Sequence, residues 1–164
     1  MSALTELPQA PDTTSVIAAR ARAVLDDNPA IQLATLGGAW SPWILGAYFT
    51  RAPKGLHATS AAIPDLDLVL MVERAGKSLA NLQVDARVAL VVSKNDAAQD
   101  FVQGSGRAVL LPDGEADAVV AALVRKMPEY RLYTPCVPVR IELRELFVTS
   151  FAAGWLPARR LTLR

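Results

Sequence analysis

At 164 residues the chain is long enough to bury a substantial core, and its length alone favours one domain. Apolar residues make up 52% of it, which excludes a disordered chain, and 17 basic against 16 acidic residues leave a net charge of +1 that singles out neither nucleic acid nor a membrane as partner. The one cysteine, Cys136, excludes an internal disulfide and a cysteine-built zinc site; no apolar run approaches the roughly 20 residues that span a bilayer, no basic-then-apolar leader opens the chain, and a cytoplasmic protein without a metal is expected.

Residues 1–12 are proline-rich and polar and read as a flexible N-terminal segment, with residues 13–164 as a single domain. Thr13 to Asp27 reads as a helix: Thr13, Thr14 or Ser15 can cap it, Val16, Ile17, Ala21, Val24 and Leu25 form an apolar stripe, and Asn28-Pro29 stops it. Ile31 to Leu36 reads as a short strand closed by Gly37-Gly38. Trp40 to Phe49 reads as a second strand, which Pro42 restricts to an edge or a bulge. At period two, Trp43, Leu45, Ala47 and Phe49 share one face of it, and Ile44, Gly46 and Tyr48 the other. Arg51 to Gly55 reads as a turn, and Leu56 to Ala62 as a third strand.

Two apolar runs follow, Leu66 to Val72 and Arg87 to Val92, too short and too rich in Val and Leu for amphipathic helices, so strands are predicted. Between them Gly76 to Leu82 reads as a short helix opening with a glycine, a lysine and a hydroxyl. Free backbone N–H groups, the positive end of the helix dipole and the Lys77 ammonium would converge there, a place for a phosphate. Lys77 is then a phosphate ligand or a solvated lysine, and Ser78 a cap, a ligand or both. Asp100 to Leu111 reads as a strand interrupted by Gly104 and Gly106, which suggest a bulge or the close approach of a backbone or ligand; Gln103 and Arg107 flank them. Pro112-Asp113-Gly114 turns into a helix from Glu115 to Lys126 with Val119, Val120, Leu123 and Val124 inward. Pro138 to Leu143 and Leu146 to Phe151 read as the last two strands. The tail Gly154 to Arg164, with Arg159, Arg160 and Arg164, reads as a basic, solvent-exposed end or as a flap over an anionic ligand. Short strands with three helices inserted singly predict a mostly β (α+β) fold, a six- to seven-stranded antiparallel barrel with flanking helices.

The order of a helix, the strand IQLATLG, a two-strand ribbon, LVLMVERAGKSLANLQVDARVALVV, a GRAVLL strand and a helix ending RKMPEY resembles the pyridoxamine 5'-phosphate oxidase-like proteins, the FMN-binding split β-barrels. The resemblance covers roughly Thr13 to Phe151. It implies a homodimer with FMN at the subunit interface, and a flavin-dependent oxidoreductase acting on a small-molecule substrate, with the redox chemistry carried by the cofactor. In the oxidase a Ser-Arg-Lys run before the short helix meets the flavin phosphate. Gly76, Lys77 and Ser78 fall on those positions, so Lys77 keeps a cation while Gly76 and Ser78 depart from the pattern, and Arg74, one turn earlier, is the candidate second cation. The resemblance also implies that Trp43 or Tyr48 packs on the flavin ring, and that Gln103 and Arg107 lie near the flavin of the partner subunit. Arg160-Leu161 is similar to an Arg-Leu pair near the oxidase's terminus. Similar split barrels bind the deazaflavin F420 or haem, and the departures at Gly76 and Ser78 equally suit a cofactor-free dimeric binding or stress-related module. His57, the only histidine, reads as a strand-end residue or a proton donor beside a flavin, and Cys136 as a small buried hydrophobe. No nucleophile–base pair or paired-carboxylate pattern assigns a catalytic side chain.

Overall fold

The structure is a computed structural model, and it describes residues 13–56, 63–96 and 98–164. The N-terminal segment 1–12, residues 57–62 of the strand expected over Leu56 to Ala62, and with them His57, lie outside the described residues.

The first helix, α1, spans Thr14–Asp27 and is capped by Thr13, whose hydroxyl accepts the Val16 N–H at 3.4 Å. Ile17, Ala18, Ala21, Val24 and Leu25 recur on one face and are buried. Asn28 closes the helix by donating its side-chain amide to the Val24 carbonyl at 2.7 Å. Strand β1 (Ala30–Leu36) buries Ile31, Leu33 and Thr35 by strict alternation. Strand β2 spans Pro42–Arg51 and begins two residues later than expected, because Ala39 and Trp40 take positive φ values of 55° and 59° in the connecting turn. No L residue holds an extended strand at such angles. Strand β3 (Leu68–Glu73), helix α2 (Lys77–Val84) and strands β4 (Arg87–Val92) and β5 (Phe101–Leu110) follow, then helix α3 (Ala116–Lys126).

The last two elements differ from expectation. The stretch read as two strands is one, β6, over Cys136–Ser150. What looked like a break at Arg144-Glu145 is a bulge, where the register to β5 shifts between Ser105 and Gly106. The basic tail is a strand, β7 (Trp155–Thr162), paired with β6 and anchored by buried Trp155 and Leu161. It is therefore neither a solvated end nor a loose flap, and Arg160 is held by Glu145 at 2.8 Å.

All pairings are antiparallel, in the order β3-β2-β1-β4-β5-β6-β7, and β3 also pairs with β6. That last pairing closes β1 to β6 into a six-stranded barrel, with β7 an extension beyond β6. The fold is thus a mostly β split barrel with three helices among the described residues. The run Leu68–Val72 is apolar on both faces because both are covered. Leu68, Leu70 and Val72 enter the barrel core, while Val69 and Met71 pack outward under Val119 and Leu123 of α3. On α3 the inward set is Val119, Ala122 and Leu123. Val124, expected inward, is exposed.

Two polar links fasten the helices and the chain end. Lys126 on α3 donates to the Leu25 carbonyl of α1 at 2.8 Å, with its ammonium 3.9 Å from the centre of the Phe49 ring. Burial, with Arg51 nearby and against the pull of Asp26, brings that ammonium down to about 8. Asp67, fully buried before β3, accepts from Arg140 on β6 at 2.8 Å, from Arg164 at 2.6 Å and from the Leu143 N–H at 3.1 Å. No helix among the described residues is long and apolar enough to cross a membrane.

Candidate functional site

The start of α2 is shaped by the turn out of β3. Gly76 is the capping residue, Lys77 the first helical residue and Ser78 the second, so Ser78 is not the cap. A side chain at Gly76 would crowd the Glu73 carbonyl at 3.2 Å and the Glu73 Cβ at 3.3 Å, so the turn is tight and a glycine fits it without displacement. The Gly76 N–H bonds to the Glu73 carbonyl at 3.1 Å, and the first helical bond runs from the Ala80 N–H to the Gly76 carbonyl at 3.3 Å. The amides of Lys77, Ser78 and Leu79 are therefore unspent by the helix, at its positive end.

The Lys77 ammonium lies 4.4 Å from the centre of the Trp43 indole, a cation–π contact, and no carboxylate pairs with it among the described residues. Trp43 stands at the start of β2, directly across from Thr35 on β1. Beneath it α2 is docked by Leu79 and Leu82 and by a buried polar link: the Asn81 side-chain amide donates to the Thr35 hydroxyl at 3.0 Å. Ser78, three residues before Asn81 on the same helix face, is buried beside that link. Asn81 also faces Gly37, where a Cβ would come within 3.1 Å of its Oδ1. On the far side of the same turn, Arg87 lies over Trp40 at 5.1 Å. Two tryptophans thus bracket the turn between β1 and β2, each beneath a cation.

Lys77, Ser78 and Trp43 come together as one cluster. Arg74 does not join it, because its guanidinium pairs with Asp113 in the turn before α3 at 2.7 Å. Tyr48 stands near the other end of β2, edge-on to Tyr130 at 6.1 Å, where both line a cavity of about 360 Å³ with Met127 and Tyr133. Burial pushes the Tyr130 phenol up to about 12, with Cys136 adding to the shift. Gln103 is exposed on the outer face of the barrel, between Val91 and Phe147. Arg107 is exposed between Arg87 and Glu142. Gly104 and Gly106 are explained by backbone, not by a ligand: side chains there would lie 2.7 Å from the Glu145 carbonyl and 2.5 Å from the Glu142 carbonyl. Cys136 is partly buried and its thiol donates to the Thr134 carbonyl at 3.3 Å. No group of three or more metal-ligating side chains is present among the described residues.

Three residues of the cluster carried no earlier assignment. Thr35 lies on the inward face of β1 and Asn81 is a polar residue on a buried helix face, a pattern that alternation alone makes visible. Glu73 sits where the helix dipole attracts an anion, and its Oε2 comes within 3.5 Å of the Cβ position of Gly76.

No family model and no curated protein matches this sequence. Solved structures do match. A haem-binding protein from Mycobacterium smegmatis superposes with a TM-score of 0.66 at 19% identity, over 89% of this chain and 57% of that one, so this chain spans little more than half of it. A candidate pyridoxamine 5'-phosphate oxidase from Listeria innocua matches with a TM-score of 0.57 at 14% identity, over 77% of this chain and 92% of that one. The haem storage protein HutZ from Vibrio cholerae matches with a TM-score of 0.60 at 17% identity, over 79% and 94%. What this chain shares with them is the fold, a split β-barrel.

Proposed function

We propose that this protein binds FMN with its phosphate at the start of α2, and that it is a flavin-dependent oxidoreductase working as a homodimer on a small molecule. The observation that carries the reading is the Lys77 ammonium, free of any carboxylate among the described residues and seated on Trp43 at the open end of α2. A phosphate monoester brings nearly two negative charges and three acceptor oxygens. Three unspent amides, the Ser78 hydroxyl and one ammonium match that group in donor number, and Trp43 offers a flat apolar surface next to it. The fit is incomplete in charge: Arg74 is committed to Asp113, and the Glu73 carboxylate stands close by. Bound flavin supplies hydride or electron transfer. The protein's own residues anchor the phosphate, wall the ring and exclude water. Tyr48 and Gln103 stand on the exposed outer face that a dimer would cover.

The test is a titration of the purified protein with FMN, read by flavin fluorescence and by the visible spectrum. Lys77→Ala is expected to weaken binding by about 1.5–3 kcal/mol, the worth of a charge-assisted contact. Glu73→Gln is expected to tighten it by relieving repulsion. No spectral change in the wild type at tens of micromolar FMN, or a Lys77→Ala variant that binds equally well, overturns the reading.

One observation favours a second reading, haem: the cavity between Tyr48, Tyr130 and Tyr133 offers phenol oxygens, which can ligate iron. The raised Tyr130 phenol weighs against it, since a ligand must lose its proton. The absorbance of the protein as isolated separates flavin, F420 and haem by their bands.

A further inference from the structure

Positive charge collects at the other end of α2, about 12 Å along the helix from Lys77. Two adjoining cavities lie there, of about 360 and 260 Å³, and share Arg107 and Arg144 in their walls. Four arginines line them, Arg87, Arg107, Arg144 and Arg164, against the two carboxylates Asp85 and Glu142. In a chain of net charge +1 this is a local concentration of one sign.

Two of the four are committed. Asp85 holds Arg87 in a fork, Nη2 to Oδ2 at 2.6 Å and Nε to Oδ1 at 3.0 Å, and Arg164 reaches down to buried Asp67. The other two are exposed, and among the described residues neither Arg107 nor Arg144 makes a side-chain hydrogen bond or an ion pair. The bulge in β6 sets their positions. Leu143 pairs with Gly106 and Glu145 with Ser105, so Arg144 is the extra residue between them, re-aimed by the bulge. Its carbonyl is pinned by the Leu163 N–H at 2.8 Å, and the absence of a side chain at Gly106 lets β5 and β6 approach. Two guanidiniums with unused forks, carried on neighbouring strands, can receive phosphate oxygens.

We propose that this groove is a second anion site, for the pyrophosphate or polyphosphate group of a small molecule. Two joined cavities with cations along both suit linked phosphates rather than one. The site stands independently of FMN binding at Lys77.

The experiment is calorimetric titration of the full chain with inorganic pyrophosphate and, in a second arm, ATP, at two salt concentrations. Saturable one-site binding that weakens with salt is expected. Arg144→Gln and Arg107→Gln are each expected to weaken it at least about tenfold, Glu142→Gln to strengthen it, and Lys77→Ala to leave it unchanged. Arg144→Gln is expected to leave FMN binding as in the wild type. Equal affinity for the two ligands assigns the phosphates alone, and tighter ATP binding assigns a nucleotide. No saturable binding, full affinity in Arg144→Gln, loss of pyrophosphate binding in Lys77→Ala, or an oligonucleotide that displaces pyrophosphate at lower concentration would each overturn the proposal.

Discussion

Asp67 gathers bonds from two arginines and a backbone amide, and it shows what one buried charge demands. Its side chain is 1% exposed, and its oxygens accept from Arg140, Arg164 and the Leu143 N–H. Burial pushes its carboxyl up, while Arg164, Arg140 and the Leu143 amide outweigh burial and hold it below the ordinary value of 3.8. The sign follows. With a folded pKa below the unfolded one, Asp67 contributes stability that is fully present above the unfolded value and is lost as pH falls through the folded value. Asp67→Asn leaves buried Arg140 and partly buried Arg164 short of their charge partner and is expected to cost about 3–5 kcal/mol. Urea unfolding at neutral pH checks the magnitude, and the same series run into acid checks the sign: the gap between wild type and variant should narrow as pH falls. Arg164→Ala should cost less, since Arg140 and the Leu143 amide remain. None of these partnerships is legible in the sequence, because Arg140 and Arg164 lie 73 and 97 residues away and only the closed barrel brings them to one point.

At the scale of elements, local pattern decides what can be read. Helix α1 shows itself by its stripe and cap, β1 by alternation and α2 by its glycine, lysine and serine, because in each the signal lies within a few adjacent residues. The β6 strand hides because Arg144-Glu145 imitates a turn, and a bulge is defined by the opposite strand. The β7 strand hides because Pro157 and its arginines resemble a tail, while its pairing to β6 is long-range. Even at the candidate site Lys77, Ser78 and Trp43 were visible as types, but the commitment of Arg74 to Asp113 was not, since it links two separate turns. The β5–β6 junction carries a direct test. A Cβ at Gly106 would sit 2.5 Å from the Glu142 carbonyl, a backbone atom that cannot swing aside, whereas at Gly114 it would meet nothing within 4 Å. Gly106→Ala is therefore expected to destabilise by about 1–3 kcal/mol or more by overpacking, and Gly114→Ala to change stability little. Denaturant midpoints at unchanged m-value distinguish the two. Equal midpoints would mean that the bulge relaxes freely.

For the whole molecule, coverage of the barrel is uneven, and the bare side is informative. Helix α3 covers β3, and α1 packs against β7 and β2. On the outer face of β2, Ile44 is 68% exposed and Tyr48 56%. The rows beside them run Ile44, Ala34, Ala89, Ser105 and Gly46, Gln32, Val91, Gln103 across β2, β1, β4 and β5. Ala34, Ala89, Ser105 and Gly46 keep the surface beside Ile44 low, so that Ile44 and Tyr48 project from it, and apolar groups exposed in this way mark an interface. In the proposed homodimer the face meets its own copy about a two-fold axis, so any residue placed in it acts twice. A stable pair of this kind covers about 800 Å² on each subunit. The wild type is therefore expected to scatter light with twice the 17.6 kDa mass of the chain. Ile44→Arg puts two unpaired guanidiniums into that face and should bring the mass to 17.6 kDa with the barrel still folded by circular dichroism. The same variant connects assembly to the cofactor: if the flavin ring is walled by both subunits, monomeric Ile44→Arg loses FMN affinity although Lys77 is intact, and if it keeps full affinity each barrel binds alone. A wild type that scatters at 17.6 kDa across the micromolar range would remove the dimer, and with it the reason for this exposed face.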